Sequence, residues 1–125
     1  MLADRILLTA SLLSFRSEFK HKVGAVIFKG STVQGGGYNL KRTHPLSVYY
    51  NQSDLKPYLH AEVHALINCK NIDLSKSSML VVRVLKDGTF GTSKPCPGCT
   101  RAIMDSDLHR VYYFENLELK YLTVN

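Results

Sequence analysis

The sequence predicts an α/β fold with helices packed against a mixed sheet, in the order helix, strand, strand, helix, strand, helix, strand, closed by a short fifth strand. Three observations carry that expectation. Leu2, Ile6, Leu7, Ala10 and Leu13 recur at helical spacing. Residues 23–28 form an almost unbroken apolar run, the pattern of a strand covered on both faces, and 79–85 read as a further strand. At 125 residues the chain suffices for one domain, 1–125, with a sizeable core and no second unit.

In chain order, the first helix ends near residues 15–19. Lys29-Gly30-Ser31-Thr32 reads as a turn that returns a second strand, 33–38, antiparallel to the first. Its run Gly35-Gly36-Gly37 lets another backbone or a ligand come close. Residues 39–59 show no periodicity, and so long a structureless loop in a compact domain is either a binding element or disordered. Tyr49, Tyr50 and Tyr58 within it offer faces for stacking on a base or on the domain's flank. A second helix over 60–70 turns Val63, Leu66 and Ile67 to the core and carries Cys69 as a small buried residue. The strand at 79–85 is followed by the turn Lys86-Asp87-Gly88-Thr89, a lead-in at 90–94, a third helix over 97–105 and a strand over 110–114. Glu115-Asn116-Leu117 is too short to carry a crossover helix, so the closing strand, 119–124, is expected to run antiparallel.

A formal net charge of +6 suits an anionic partner such as a nucleotide phosphate or a nucleic acid. The surplus is regional, since Lys20, Lys22, Lys29, Lys41, Arg42 and Lys56 face only Glu18 and Asp54, but it forms no continuous run. Three cysteines do not make a disulfide framework and point to a reducing, cytoplasmic setting. Residues 6–15 mimic a weak leader core, yet Asp4 precedes them and no small-residue cleavage site follows. No apolar run approaches the length of a membrane span, so no membrane partner is expected.

The chemistry concentrates in two places, His60-Ala61-Glu62 and Pro95-Cys96-Pro97-Gly98-Cys99. A catalytic zinc takes three protein ligands and leaves a fourth position for water, and His60, Cys96 and Cys99 supply that set. Pro97 suits the first turn of a helix, which places Cys96 and Cys99 one turn apart at its positive end, where thiolates are favoured. Residues two apart on a regular helix point roughly 200° apart, so His60 and Glu62 share a target only at a helix start. Pro57 agrees with a start there. Glu62 is then the carboxylate that carries protons between zinc-bound water and substrate. The competing reading adds His64, four residues after His60, to close a structural Cys2His2 site. That reading reverses the order of a zinc finger and leaves Glu62 without a task.

These residues, His-x-Glu followed by Pro-Cys-x-x-Cys, resemble the cytidine and deoxycytidylate deaminase superfamily. The order of elements and the segment Gly37-Tyr38-Asn39 are similar as well. The resemblance implies a cytidine-deaminase-like fold in which Zn2+ is held by His60, Cys96 and Cys99, and Glu62 shuttles protons. It further implies that the backbone N–H of Ala61 holds the base carbonyl and that Asn39 contacts the sugar. The implied reaction is hydrolysis at C4 of a cytosine nucleotide or nucleoside, with dCMP to dUMP the leading case, releasing ammonia. Arg42, directly after Lys41 and close to Asn39, is expected to meet a substrate phosphate. An antiparallel last strand is the arrangement of nucleoside rather than nucleotide deaminases. Two other readings remain, a deaminase of tRNA or single-stranded nucleic acid and a noncatalytic zinc-binding interaction module. A homo-oligomer is expected.

Overall fold

The computed structural model describes residues 2–52 and 54–125. Helix α1 (Asp4–Ser14) is followed by the hairpin β1 (Lys22–Lys29) and β2 (Thr32–Tyr38). Next come the short helix α2 (Pro45–Tyr50) and helix α3 (Ala61–Asn68). Strands β3 (Ser78–Val84) and β4 (Phe90–Gly91), helix α4 (Pro97–Met104) and strands β5 (Arg110–Glu115) and β6 (Glu118–Thr123) complete the chain. The strand order is β2-β1-β3-β5-β6, with β4 paired to β3.

Alternation along the central strands explains the layering. Ala25 and Ile27 of β1 join Met79 and Val81 of β3 in a core with Ala61 and Ala65 of α3 and Ile103 of α4. Val26, Phe28, Leu80 and Val82 project the other way, where Ile6 and Ala10 of α1 cover them. The apolar runs of β1 and β3 are therefore continuous because both faces are buried.

Strand direction places the functional residues. Both β2 and β3 are antiparallel to β1, so they run the same way. The helices that follow them, α3 after the 39–59 segment and α4 after β4, consequently begin at the same end of the sheet. β3 and β5 are parallel across the α4 connection, whereas β6 returns antiparallel through Asn116 and Leu117, both at positive φ (54° and 65°). That pair of conformations makes the two-residue hairpin expected from the short turn, although Leu117 bears a left-handed backbone that a leucine seldom adopts.

Two elements depart from the sequence reading. The supposedly structureless segment contains α2, because His44 caps it by accepting from the N–H of Leu46, while Ser47 returns a bond to the N–H of His44 and Pro45 occupies the first turn. At six residues the helix is too short for an apolar period to reveal it. The segment's ends are pinned together, since the N–H of Leu40 donates to the carbonyl of Leu59 at 3.0 Å. The lead-in at 90–94 also contributes β4, which Ser93 ties down by donating to the carbonyl of Val81 (2.7 Å) and accepting from the N–H of Phe114 (2.9 Å).

The close approach anticipated for the glycine run is made by a helix. A Cβ on Gly37 would sit 2.5 Å from the N of Ala65 and 2.9 Å from the carbonyl oxygen of Ala61. Gly37→Ala should therefore push α3 off the sheet and destabilise the fold by about 1–3 kcal/mol, the usual penalty for overpacking. Urea unfolding measures this, and a loss under about 0.5 kcal/mol, the scale of a surface change, would show that α3 is not clamped there.

Candidate metal centre and active site

His60 is the N-cap of α3, in an extended conformation (φ −83°, ψ 158°), and Cys96 is the N-cap of α4 (φ −67°, ψ 167°). Non-helical backbone at both caps swings the two side chains across the helix starts instead of along the helix flanks. Cys99, three residues into α4, lies on the same side as Cys96 and is fully buried. The Nδ1 of His60 is 3.3 Å from the Sγ of Cys99 and 3.5 Å from that of Cys96. All three potential ligand atoms lie within 4.8 Å of one another. A tetrahedral zinc with bonds of about 2.0 Å to nitrogen and 2.3 Å to sulfur has N···S edges of roughly 3.5 Å, so the trio fits the ion.

His64 is excluded from that set. Its Nδ1 is 3.1 Å from the backbone N of Tyr38, which donates to it, and its ring meets that of Tyr38 edge-on at 5.0 Å. Among the described residues the group able to hold a metal comprises His60, Cys96 and Cys99. The closed Cys2His2 reading fails because residue 64, one turn into α3, points back to the sheet.

The proton inventory of the trio in its metal-free form is uneven. The Cys96 thiol is pulled down to about 3, chiefly because Cys99 donates a hydrogen bond to it and His60 adds another. Cys99 is pushed up, first by that same bond, in which it keeps the proton, and then by burial. His60 is raised to about 9, first by its hydrogen bond to Cys96, an effect that outweighs the opposing cost of burial. Glu62 is raised to about 7, above all by burial, because it is only 5% exposed.

A cleft of about 320 Å³ opens over this group. Glu62, Ala61, His60 and Cys96 line its floor, and Asn39, Phe19, Tyr58, Lys56 and Lys94 belong to its walls. Ala61 occupies the first helical position of α3, where an N–H has no intrahelical acceptor. The Oδ1 of Asn39 accepts from the N–H of Val23 (3.2 Å), and its amide group donates to the carbonyl of His21 (2.8 Å). An amide keeps a second lone pair and a second proton, so these bonds do not exhaust it.

Arg42 and Lys41 lie outside the cleft wall. The chain turns at Arg42, whose carbonyl accepts from the N–H of Leu59 (2.8 Å), while the Nζ of Lys41 sits 5.6 Å over the ring of Phe19. The cations that do line the cleft are Lys56 and Lys94, both exposed. Of the loop tyrosines, Tyr58 lines the cleft beside Phe19, 5.7 Å between ring centres, whereas Tyr50 donates to Asp105 (2.8 Å) and Tyr49 packs on Tyr50. Phe19, Thr92, Ser93 and Lys94 escape sequence reasoning, because they sit in turns whose direction only the assembled sheet fixes.

The family of the cytidine and deoxycytidylate deaminase zinc-binding region matches residues 3–115. The chain belongs to that family of zinc-dependent hydrolytic deaminases. It is 30% identical over 110 residues to the deoxycytidylate deaminase of Mycobacterium phage D29, covering 75% of this chain and 78% of that protein. In fold it is similar to a cytidine deaminase from Burkholderia pseudomallei, with a TM-score of 0.71 at 15% identity over 99% of this chain and 94% of that one. It is also similar to the dCMP deaminase of cyanophage S-TIM5, with a TM-score of 0.59 at 24% identity over 86% and 78% of the two chains. Among the described residues no helix is long and apolar enough to cross a membrane.

Zinc uptake should release protons, because ligands bind deprotonated. At neutral pH the metal-free trio holds one proton on His60, with its raised value, and one on Cys99, while Cys96 is already a thiolate. About two protons per zinc are therefore expected in weakly buffered solution with an indicator dye, and affinity should fall as pH drops. Uptake without proton release would contradict this distribution.

Proposed function

We propose that the chain hydrolyses dCMP to dUMP and ammonia, with His60, Cys96 and Cys99 holding zinc and Glu62 moving the protons. The observation that carries the reading is the placement of Glu62. Its carboxyl is buried in the second helical position of α3, two residues from His60, and lines the same cleft.

Held by His60, Cys96 and Cys99, a zinc ion would supply the nucleophile by acidifying a bound water towards neutral pH. The protein's own residues do the rest. Adding water across C4 of cytosine requires one proton to reach ring N3 and another to reach the departing amino nitrogen, and both can come from water. A carboxyl with a value near 7 accepts a proton and returns it at similar cost, so Glu62 can serve both transfers in turn. The N–H of Ala61, at the positive end of α3, suits the base carbonyl. Phe19 and Tyr58 offer rings to flank the base or the sugar, and Asn39 retains amide capacity for a sugar hydroxyl.

The monophosphate is favoured by Lys56 and Lys94, two exposed cations among the residues that line the cleft. The deoxycytidylate deaminase of phage D29, 30% identical, supports the same substrate class. These lysines replace Arg42 as the proposed phosphate contacts, since Arg42 lies off the cleft.

Glu62→Gln should keep zinc and fold but lose a factor of roughly 10²–10⁴ in kcat, the span attributable to general acid–base catalysis. Ammonia release from dCMP together with elemental analysis measures this, and near-normal turnover with zinc bound removes Glu62 as the shuttle. For the phosphate, Lys56→Ala and Lys94→Ala should raise KM for dCMP while sparing deoxycytidine, with Arg42→Ala as the unaffected comparison. An equal effect on both substrates removes the lysines from phosphate recognition. Turnover of oligonucleotides in preference to free nucleotides would overturn the substrate class.

A further inference from the structure

We propose that Asn51 and Asp54, carried by the end of α2 and the turn after it, are positioning residues that set how tightly zinc is held. This rests on His60, Cys96 and Cys99 being the ligands.

The Oδ2 of Asp54 is 3.1 Å from the Nε2 of His60, and the Nδ1 of the same ring is the atom that faces both sulfurs. An imidazole that donates Nε2–H to a carboxylate has its proton fixed on that nitrogen, which leaves the Nδ1 lone pair directed at the metal position. The carboxylate also feeds electron density into the ring and strengthens it as a donor. Asp54 thus supplies both the tautomer and the orientation that ligation requires. It can do so without being a ligand, because it contacts the opposite edge of the ring.

On the other side of the trio, the Nδ2 of Asn51 lies 3.7 Å from the Sγ of Cys96, within the reach of an N–H···S bond. Asn51 is almost wholly buried, and its Oδ1 has no hydrogen-bond partner. A buried amide with an unpaired oxygen is poor packing, since an apolar side chain of that size would carry no such penalty. Contact with Cys96 is what this amide does provide. Cys96 also accepts from the N–H of Cys99 at 3.4 Å, so two donors besides the side chains of the trio hold its sulfur.

The placement of α2 is enforced from α4. Arg101 donates to the carbonyl of Tyr50 at 2.7 Å, and the Tyr50 hydroxyl donates to Asp105 at 2.8 Å. Gly98, between the two cysteines, leaves room for this contact. A Cβ there would lie 2.6 Å from the Nδ2 of Asn51 and nearer still to the carbonyl oxygen of Tyr50. The glycine of Pro95-Cys96-Pro97-Gly98-Cys99 thereby admits the strap that carries both positioning residues.

The test is competition for Zn2+ between a chromophoric chelator and the full chain, with the thermal midpoint of the metal-free form measured in parallel. Asp54→Ala, at a partly exposed position, should weaken zinc by roughly 10–100-fold with little change in metal-free stability. Asp54→Asn, which can still accept from Nε2–H but lacks the charge, should lie between that variant and the wild type. Asn51→Leu, close in size, should weaken zinc while leaving the metal-free form as stable or more so. In the Co2+-loaded protein, Asn51→Leu should also shift the sulfur-to-metal absorption band. Wild-type affinity in Asp54→Ala or Asn51→Leu overturns the proposal for that residue, and so does a loss of zinc that merely follows a loss of metal-free stability. Failure of the wild type itself to hold zinc would instead indict the ligand set.

Discussion

Three potential ligand atoms from two separate helix starts meet within a few ångströms, and the strand directions are what make that meeting possible. Because β2 and β3 are each antiparallel to β1, α3 and α4 begin at one end of the sheet, with His60 and Cys96 as their caps. A one-residue slip of β1 against β3 would turn Ala25 and Ile27 away from α3 and break this alignment. Burial on both faces of β1 and β3 guards against it, since either face would lose its apolar partners. Stability and site geometry therefore rest on the same pairing.

Electrostatics follow from the same placement. Both helix starts contribute positive potential to the region where thiolates and a nucleophile must be stabilised. The same region is dry enough to keep Glu62 near neutrality in its titration, whereas an exposed glutamate would stay ionised and hold a proton poorly. Glu62 is buried at the start of α3, next to Ala61, which packs on Ala25, Ile27 and Val81 of the central strands.

The zinc-binding pattern was legible because a metal imposes residue types at fixed spacing, and the helix-start placement of His60 and Glu62 followed from their two-residue separation. The main strands were legible for a comparable reason, as burial on both faces leaves an apolar run. Where residue identity was silent, the information lay in three dimensions. Lys41 and Arg42 follow Asn39 by two and three residues in sequence, but the chain turns between them and Leu59, and Lys56 and Lys94 reach the cleft from distant segments. Helix α2 had a readable start in His44, Pro45 and Ser47 but no length over which a period could build. Asn51 and Asp54 acquire meaning only through the atoms they touch.

The last strand raises a question of inference. The antiparallel β6 is the arrangement expected of nucleoside deaminases, whereas the relative at 30% identity is a deoxycytidylate deaminase. These two indications bear on different parts of the chain. The direction of β6 is set by the hairpin at Asn116 and Leu117, beyond every residue that lines the cleft, which span Phe19 to Cys96. β6 pairs with β5 alone, and neither strand contributes a side chain to the cleft. A strand so placed has no contact through which to discriminate a phosphate from a hydroxyl, because specificity is a difference of interaction energies at the site itself. Lys56 and Lys94 do stand at that site. Under the proposed function, discrimination between nucleoside and nucleotide therefore falls to the residues that line the cleft and not to the course of the final strand.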